Sequence, residues 1–167
     1  MKTILLLFLV SCLPCYAHIG ETIDQSIKRY GTAYDIKEPA PLCKDMSFMT
    51  GAFYVKASFY KGVCVGLNIS KSDISGLREL SDAEIKAILD QNSDGATWGE
   101  FERIPDSSGE IWETQCKRSD GTFAYWVPLD KKVQPYSINI LGPDIDDYDA
   151  AYKAAQLNAA KKETNGL

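Results

Sequence analysis

The sequence has 167 residues, of which 18 are Lys or Arg and 23 are Asp or Glu, and its formal net charge is −5. A chain of this length forms about one domain, and no predicted helix or strand carries a cluster of basic residues. An acidic chain of this kind is not typical of proteins that bind nucleic acid or anionic membranes, so we exclude both and expect a protein partner.

Residues 1–17 have the layout of a secretory signal peptide. Lys2 precedes an apolar run from Ile4 to Val10, and small residues stand at the −3 and −1 positions of a cleavage site that ends at Ala17. The run is shorter than the roughly 20 residues that a membrane span needs. We therefore predict a cleaved signal, no membrane span and a secreted or periplasmic protein that begins near His18. Residues 9–12 also resemble a bacterial lipobox, and a lipid anchor on Cys12 is the alternative.

The first predicted helix covers residues 22–30. Thr22 and Gln25 have the spacing of a capping box, in which each side chain bonds the backbone N–H of the other residue. Gly31 supplies the left-handed residue that commonly follows a helix.

A β-hairpin is predicted in residues 53–70. Its apolar rows are Phe53, Val55, Ala57 and Phe59 on one strand and Val63, Val65, Leu67 and Ile69 on the other. A two-residue turn puts these rows on opposite faces, whereas a three-residue turn of Tyr60, Lys61 and Gly62 puts them on one face. We therefore predict the three-residue turn, with Gly62 in the left-handed conformation.

The second half repeats this plan. Ser81 and Glu84 form another capping box before a helix predicted at 82–91. A two-residue turn of Asp120 and Gly121 then closes a hairpin. It places Trp112, Thr114, Cys116, Phe123, Tyr125, Val127 and Leu129 inward, and Trp126 outward. A further strand runs from Tyr136 to Leu141, with Ile138 and Ile140 inward.

These elements predict an α+β fold. Its antiparallel sheet is built from two helix-plus-hairpin units with helices on one face, and a C-terminal helix follows. The two capping residues and the two hairpin glycines have the same separation along the chain, which indicates tandem units at 18–78 and 79–143 of a single domain, 18–143. Residues 144–167 form an Ala-rich helical tail.

Three cysteines remain after the predicted cleavage: Cys43, Cys64 and Cys116. Exported proteins live where disulfides persist, so one bridge and one leftover thiol is the simplest expectation. Three small buried thiols without a bond are the alternative, and spacing does not choose a pair.

A short acidic motif is the leading candidate for a bound cofactor, which would be calcium. Asp90, Asn92 and Asp94 match the first half of an EF-hand loop directly after a helix, but Phe101 stands where the bidentate Glu belongs. His18 is the sole histidine, so a His-based triad or zinc site is not supported, and we predict no catalytic residue.

Aromatic residues on outward positions are the candidates for partner binding. Trp126 on the second hairpin and Tyr54 and Tyr60 on the first all fall on predicted outer faces. Amphipathic aromatic side chains are common at protein interfaces.

Two family resemblances follow from short motifs. Residues 20–31, with a hairpin that ends in aromatic-Lys-Gly, resemble the helix-hairpin unit of small outer-membrane lipoprotein A, whose tandem form occurs in beta-lactamase inhibitor proteins. The whole chain resembles a group of uncharacterised small secreted bacterial proteins. The shared features are the Gly-Glu-Thr start, Arg29-Tyr30-Gly31, the Leu80 to Ile85 helix opening and the Arg118 to Gly121 turn. This resemblance implies export and the fold, and it implies no reaction.

Three functions are consistent with the sequence. The leading hypothesis is a secreted or periplasmic, non-enzymatic binding protein. The second is an envelope-assembly accessory lipoprotein, which the mass of the exported product would distinguish. The third is a calcium-binding module or enzyme, which a thermal-shift titration with calcium would test.

Overall fold

Two antiparallel meanders lie side by side in one sheet. The computed structural model describes residues 18–73, 76–105, 107–109, 111–127 and 135–165. The strands in this part of the chain are β1 (Asp35–Ala40), β2 (Cys43–Thr50), β3 (Phe53–Tyr60), β4 (Val63–Asp73), β5 (Gly76–Arg78), β6 (Glu102–Pro105), β7 (Ile111–Lys117), β8 (Phe123–Trp126) and β9 (Ser137–Leu141). Their order is β1-β2-β3-β4-β9-β8-β7-β6, and β5 pairs with β4. The predicted signal peptide lies outside the described residues.

A helix precedes each meander and a third helix follows the second one. α1 is Ile23–Tyr30, α2 is Asp82–Gln91 and α3 is Ile145–Asn165. Each half therefore runs helix first and four-stranded meander second, and the halves meet where β4 pairs with β9. The predicted α+β fold with an antiparallel sheet and a C-terminal helix is confirmed.

Both predicted capping boxes are present. The Thr22 N–H donates to Gln25 Oε1 at 2.8 Å, and the Gln25 N–H donates to Thr22 Oγ1 at 3.3 Å. Ser81 and Glu84 repeat the arrangement at 2.9 and 3.3 Å. A cap of this type contributes about 1 kcal/mol, and it needs only residues three apart, so the sequence locates both helix starts.

The predicted turn of the first hairpin is wrong. Tyr60 pairs with Val63, which leaves a two-residue turn whose central residues Lys61 and Gly62 have φ of 52° and 83°. Two left-handed central residues are the type I′ turn that matches strand twist. Gly62 is left-handed, as expected.

A β-bulge then corrects the register. Phe59 pairs with Cys64 and Ser58 with Gly66, so Val65 is the extra residue. The bulge returns Leu67 and Ile69 to the face that carries the Phe53 row, where the register is Val55 with Ile69. Val63 and Val65 do not share that face: Val63 is 39% exposed and Val65 is buried on the other side of the sheet.

The predicted turn of the second hairpin is also wrong. Lys117 pairs with Phe123, and the Arg118 N–H donates to Thr122 O at 2.7 Å, so residues 119–121 form a three-residue turn. This one-residue change reverses the faces of β8. Ala124 and Trp126 are buried beside inward Cys116, whereas Phe123 and Tyr125 are only half-buried. The predicted outward position of Trp126 and inward positions of Phe123 and Tyr125 are therefore corrected.

Two hydrophobic layers cover the two faces of the sheet. The larger layer joins α1 and α2 to the sheet through Tyr30, Ile88, Phe48, Ile138 and Ile140, so the last two residues are inward as predicted. The smaller layer lies under α3 and contains Ala40, Cys43, Val65 and Tyr148. α1 and α2 therefore share one face, and α3 covers part of the other.

A polar contact fastens α3 to the strands of the first half. Tyr148 Oη donates to Asp45 Oδ1 at 2.8 Å, the same carboxylate accepts from Ser58 Oγ at 2.7 Å, and Lys56 Nζ lies 3.0 Å from Asp45 Oδ2. No helix in the described ranges is both long and apolar enough to cross a membrane.

The predicted disulfide is wrong, because the three described cysteines are free and buried. Cys64 and Cys116 belong to the larger hydrophobic layer, and Cys43 belongs to the layer under α3 on the opposite face. They fill space as small apolar side chains, which was the alternative left open.

Candidate functional site

A cleft of about 510 Å³ separates α2 from the strands β6, β7 and β8. Its residues are apolar and aromatic on the inside and charged at the rim: Asp82, Ile85, Lys86, Leu89, Asp90, Trp98, Gly99, Phe101, Arg103, Thr114 and Trp126. A concave apolar site of this size with a few polar groups is the usual form of a binding site. We define these residues as the aromatic cleft.

The helical spacing of α2 builds one wall of the aromatic cleft. Ile85 and Leu89 lie four residues apart, on the same side of the helix, and line the cleft. Ile88 is fully buried in the core and holds α2 against the sheet. The same apolar stripe therefore anchors the helix and forms the wall.

An aromatic pair forms the opposite wall and the floor. The Phe101 and Trp126 rings meet edge to face, with centroids 5.4 Å apart and an interplanar angle of 78°. Trp126 is 8% exposed at the floor, but Phe101 is 56% exposed at the mouth. An edge-to-face pair contributes about 0.5–1.5 kcal/mol beyond burial, so Trp126 keeps Phe101 in place although most of that ring faces water.

Trp98 connects the cleft to the end of α2. Its indole Nε1 donates to the Leu89 carbonyl at 2.7 Å, one of the last carbonyls of the helix. The Arg118 guanidinium lies 5.7 Å from the centre of the Trp98 ring, within cation–π range. These contacts fix the spacing between α2 and the strand side of the cleft.

The rim of the aromatic cleft carries charges of both signs. Lys86 Nζ lies 2.5 Å from Asp90 Oδ2, and both side chains are exposed. Arg103 on β6 faces the same cleft and is also exposed. An exposed ion pair contributes less than about 1 kcal/mol to stability, so Lys86 and Asp90 can leave each other to contact a bound molecule at a small cost in free energy.

Arg118 joins the turn of the second hairpin to the end of α2, and we call its contacts with Asn92 and Asp120 the latch. Arg118 is 5% exposed, and its Nη1 donates to the Asn92 carbonyl just beyond α2. Arg118 Nε donates to Asp120 Oδ1 at 2.9 Å, and this guanidinium holds the pKa of Asp120 well below its usual range. The latch ties the second hairpin to α2 and explains the three-residue turn.

The predicted calcium ligands face different partners. Asp90 pairs with Lys86, Asp94 is exposed, and the buried Asn92 donates from Nδ2 to the Ile88 carbonyl at 2.9 Å. In the described ranges no group of three or more His, Cys, Asp and Glu residues is placed to hold a metal ion. The structure thus uses Asn92 to end α2, and the calcium hypothesis stays a prediction.

The two predicted tyrosines lie away from the aromatic cleft. Tyr54 is half-buried beside Tyr34, with ring centroids 5.6 Å apart, and its pKa is lowered by a hydrogen bond from Tyr34. Tyr60 packs against the layer under α3, with Lys61 Nζ 4.7 Å from its ring centre. Of the three predicted partner residues, only Trp126 lines the cleft.

The potential nucleophiles are suppressed by burial. Burial raises the pKa of Cys64 to about 12 and that of Cys116 to about 11, and it also raises the pKa of Cys43. These thiols remain protonated at neutral pH and are poor nucleophiles. The pKa of His18 is lowered, first by burial and then by the Arg29 cation, so this imidazole is neutral at pH 7.

The motifs behind the family resemblance have structural roles. Glu21 of the Gly-Glu-Thr start accepts from Arg29 of Arg29-Tyr30-Gly31, with Arg29 Nε at 2.7 Å from Glu21 Oε1. The Leu80 to Ile85 segment is the capping box of α2, and Arg118 forms the latch. The Leu80 to Ile85 segment and Arg118 therefore hold the two ends of α2 beside the cleft, whereas Glu21 and Arg29 are not among the cleft residues.

Sequence reasoning missed Phe101, Ile85 and Leu89 as cleft residues. Ile85 and Leu89 look like ordinary core positions of an amphipathic helix. The available signal was Phe101, an aromatic residue in a polar segment, at the position where a calcium loop would need a carboxylate. Its packing against Trp126 at the mouth of the cleft is visible only in the structure.

The comparisons with known proteins add the fold alone. Scans against protein-family models and curated proteins found no match. Among solved structures, the chain is similar to a cysteine-rich secretory protein from Staphylococcus aureus subsp. aureus Mu50, with 15% identity and a TM-score of 0.51. The similarity covers 76% of this chain but only 45% of that one, so this chain corresponds to less than half of its neighbour.

Proposed function

We propose that this protein is an exported, non-enzymatic binding domain that engages a protein partner through the aromatic cleft. One observation carries the proposal: Phe101 is 56% exposed at the mouth of a cleft whose floor is Trp126. An exposed ring that is continuous with a concave apolar surface forms an apolar patch, and such patches mark interaction sites in folded proteins.

The composition of the aromatic cleft favours a protein partner. Interfaces between proteins combine an apolar core, rich in aromatic residues, with a polar rim. Here Ile85, Leu89, Phe101 and Trp126 form the core, and Lys86, Asp90 and Arg103 stand at the rim. Charges of both signs at the rim suit a peptide chain better than a uniformly charged polymer.

The chemistry of the described groups supports binding without catalysis. The thiols of Cys43, Cys64 and Cys116 are buried and have raised pKa values. His18 is not among the residues that line the aromatic cleft. Neither a reactive thiolate nor an imidazole base is therefore present among the cleft residues.

Export is supported by the signal-peptide pattern of residues 1–17 and by the resemblance to small secreted bacterial proteins. We propose cleavage before His18, with a secreted or periplasmic product. An envelope lipoprotein anchored at Cys12 is the alternative. The intact mass of the exported product tests this choice, because an acylated mass that begins at Cys12 would replace our proposal with the lipoprotein.

The binding proposal is tested with a photo-crosslinker placed on the cleft. Benzoylphenylalanine replaces Phe101 in the exported protein, and a matched variant carries it at Met49, which is 62% exposed on the first meander. We expect a discrete crosslinked protein from position 101 and none at equal intensity from position 49. Equal adducts from both positions, or none from 101 in correctly exported protein, would refute the cleft as the binding site.

A further inference from the structure

We propose that the partner enters as an extended peptide segment that adds a strand to β6 and places an apolar side chain in the aromatic cleft. This inference rests on the proposed function and specifies its binding mode. The juxtaposition that supports it is an open sheet edge directly beside an aromatic-lined cleft.

β6 is the outermost strand of its half of the sheet. It pairs with β7 through Glu102 with Gln115 and Arg103 with Thr114, and no other described strand pairs with it. Glu102 and Arg103 are exposed, and the backbone groups on the outer side of β6 have no partner strand among the described residues. An edge strand of this kind is a template for another extended chain.

The opposite edge of the sheet is less suited to this role. β1 has a register irregularity between Lys37 and Ala40 and contains Pro39, so its interior is interrupted. In β6 the irregularity lies at the end, between Ile104 and Pro105. The residues before Pro105 therefore remain available for pairing, and Pro105 limits the added strand to a few residues.

The register of the sheet directs the side chains of an added strand. Arg103 pairs with Thr114, and Thr114 pairs with Trp126, so these three residues form a row on the face that bears α2. A residue paired with Arg103 on the outer side would continue this row, because paired residues share a face. Its side chain would lie next to Phe101 and enter the cleft.

The spacing of the side chains that the peptide needs follows from this geometry. Residues at alternate positions of the added strand point toward the cleft, and those between them point away. We therefore expect an apolar or aromatic anchor at the position that pairs with Arg103, with a second residue two positions away on the same face of the sheet. A helical ligand would instead space its anchors by three or four residues.

The test uses linear seven-residue peptides selected from a random phage-displayed library on the full exported chain. The tightest peptide is then N-methylated at each backbone nitrogen in turn. Methylation removes one donor and blocks close approach, so we expect about tenfold weaker binding at alternate positions and little change between them. The variant Phe101→Ser should weaken the peptide by at least about tenfold, whereas the control Met49→Ser should not.

The outcomes separate this inference from the proposed function. If Phe101→Ser abolishes binding but N-methylation has no alternating effect, strand addition is refuted and the cleft remains the binding site. If binding is unchanged in Phe101→Ser, or if no selected peptide depends on Phe101, both proposals are refuted. A peptide that becomes helical when bound also overturns strand addition.

Discussion

The substitution Gly142→Ala tests whether the segment that follows the predicted cleavage site is part of the folded core. Gly142 is buried at the end of β9, and its N–H donates to the Val65 carbonyl at 2.7 Å. A Cβ at this position would lie 2.6 Å from Ile19 Cγ2 and 3.3 Å from Val65 O. The first distance is well below van der Waals contact, so Ile19 or the strand must move.

The surroundings of Ile19 prevent an easy adjustment. Ile19 is 8% exposed, and the chain next to it is held to β4 by two hydrogen bonds of 2.8 Å, Gly20 N–H to Cys64 O and Cys64 N–H to Glu21 O. Overpacking a core position costs about 1–3 kcal/mol. Because hydrogen bonds to β4 hold both the backbone next to Ile19 and the backbone of Gly142, we expect Gly142→Ala to lower the free energy of unfolding by about 2–3 kcal/mol. This corresponds to a melting temperature lower by roughly 5–10 °C.

The double mutant isolates the contact. Ile19→Ala alone should cost about 2–5 kcal/mol through lost burial, but it removes the methyl group that blocks Gly142. In that background Gly142→Ala should therefore cost less than about 0.5 kcal/mol. Urea denaturation of the four proteins, followed by circular dichroism, measures each free energy of unfolding.

A matched glycine provides the control. At Gly66 an added Cβ meets the end of the Ile145 side chain at 3.2 Å, which can rotate away. We expect Gly66→Ala to change the free energy of unfolding by less than about 1 kcal/mol. If Gly142→Ala has the same effect with and without Ile19, the segment around Ile19 does not pack as described and our reasoning is refuted.

Three further predictions concern the latch, the helix α3 and the thiols. Arg118→Met removes the guanidinium that bonds the Asn92 carbonyl and the Asp120 carboxylate. We expect urea denaturation to show a free energy of unfolding lower by about 2–4 kcal/mol. A decrease no larger than that of the control Lys117→Met would contradict the latch. Tyr148→Phe removes the hydrogen bond to Asp45. It should lower the free energy of unfolding by about 1 kcal/mol and speed amide exchange in α3. The control is Tyr152→Phe at an exposed position, and an equal effect there would argue against the Tyr148 contact. Burial raises the pKa of Cys64 to about 12 and that of Cys116 to about 11. In the folded protein both thiols should therefore resist iodoacetamide at pH 8, and they should react once urea unfolds the chain. Rapid labelling of either thiol in the folded protein would show that it is accessible.

The contribution of the Arg118–Asp120 contact to the free energy of unfolding should also depend on pH. The Arg118 guanidinium lowers the pKa of Asp120, so the folded state favours the ionised carboxylate. This contribution is present above the pKa of the unfolded chain, near 4, and is lost as the pH falls through the lower folded value. Asp120 is 44% exposed in its side chain, so solvent screening keeps the contribution modest. Asp120→Asn should therefore flatten the acid limb of the stability profile measured by thermal melts between pH 2 and 7.

The two hairpins show why turn type was harder to predict than strand position. Apolar alternation located β3, β4, β7 and β8, but both predicted turn lengths were wrong. In the first hairpin a bulge at Val65 restored the inward face of Leu67, an option that simple alternation does not reveal. In the second, the turn follows from Arg118, which bonds the end of α2 at Asn92.

The candidate site was predicted only in part for the same reason. Trp126 was identified as a partner residue from an outward position, yet it is buried and forms the floor of the aromatic cleft. Phe101 was excluded as a calcium ligand and was not recognised as a contact residue. Its role depends on the Trp126 ring 5.4 Å away, which belongs to a distant part of the chain.

The sequence by itself determined the α+β class, the two capped helix starts, the strands of both hairpins, β9 and the C-terminal helix, but it did not predict β1, β2 or β5. Each of these features depends on residues within a few positions of one another, because a capping box closes over three residues and strand alternation repeats every two. The tertiary structure alone decided which face Trp126 occupies, where α3 docks and that the three described cysteines are free. Those outcomes depend on contacts such as Arg118 with Asn92 and Tyr148 with Asp45, whose partners are distant in the chain and meet only when the sheet has formed.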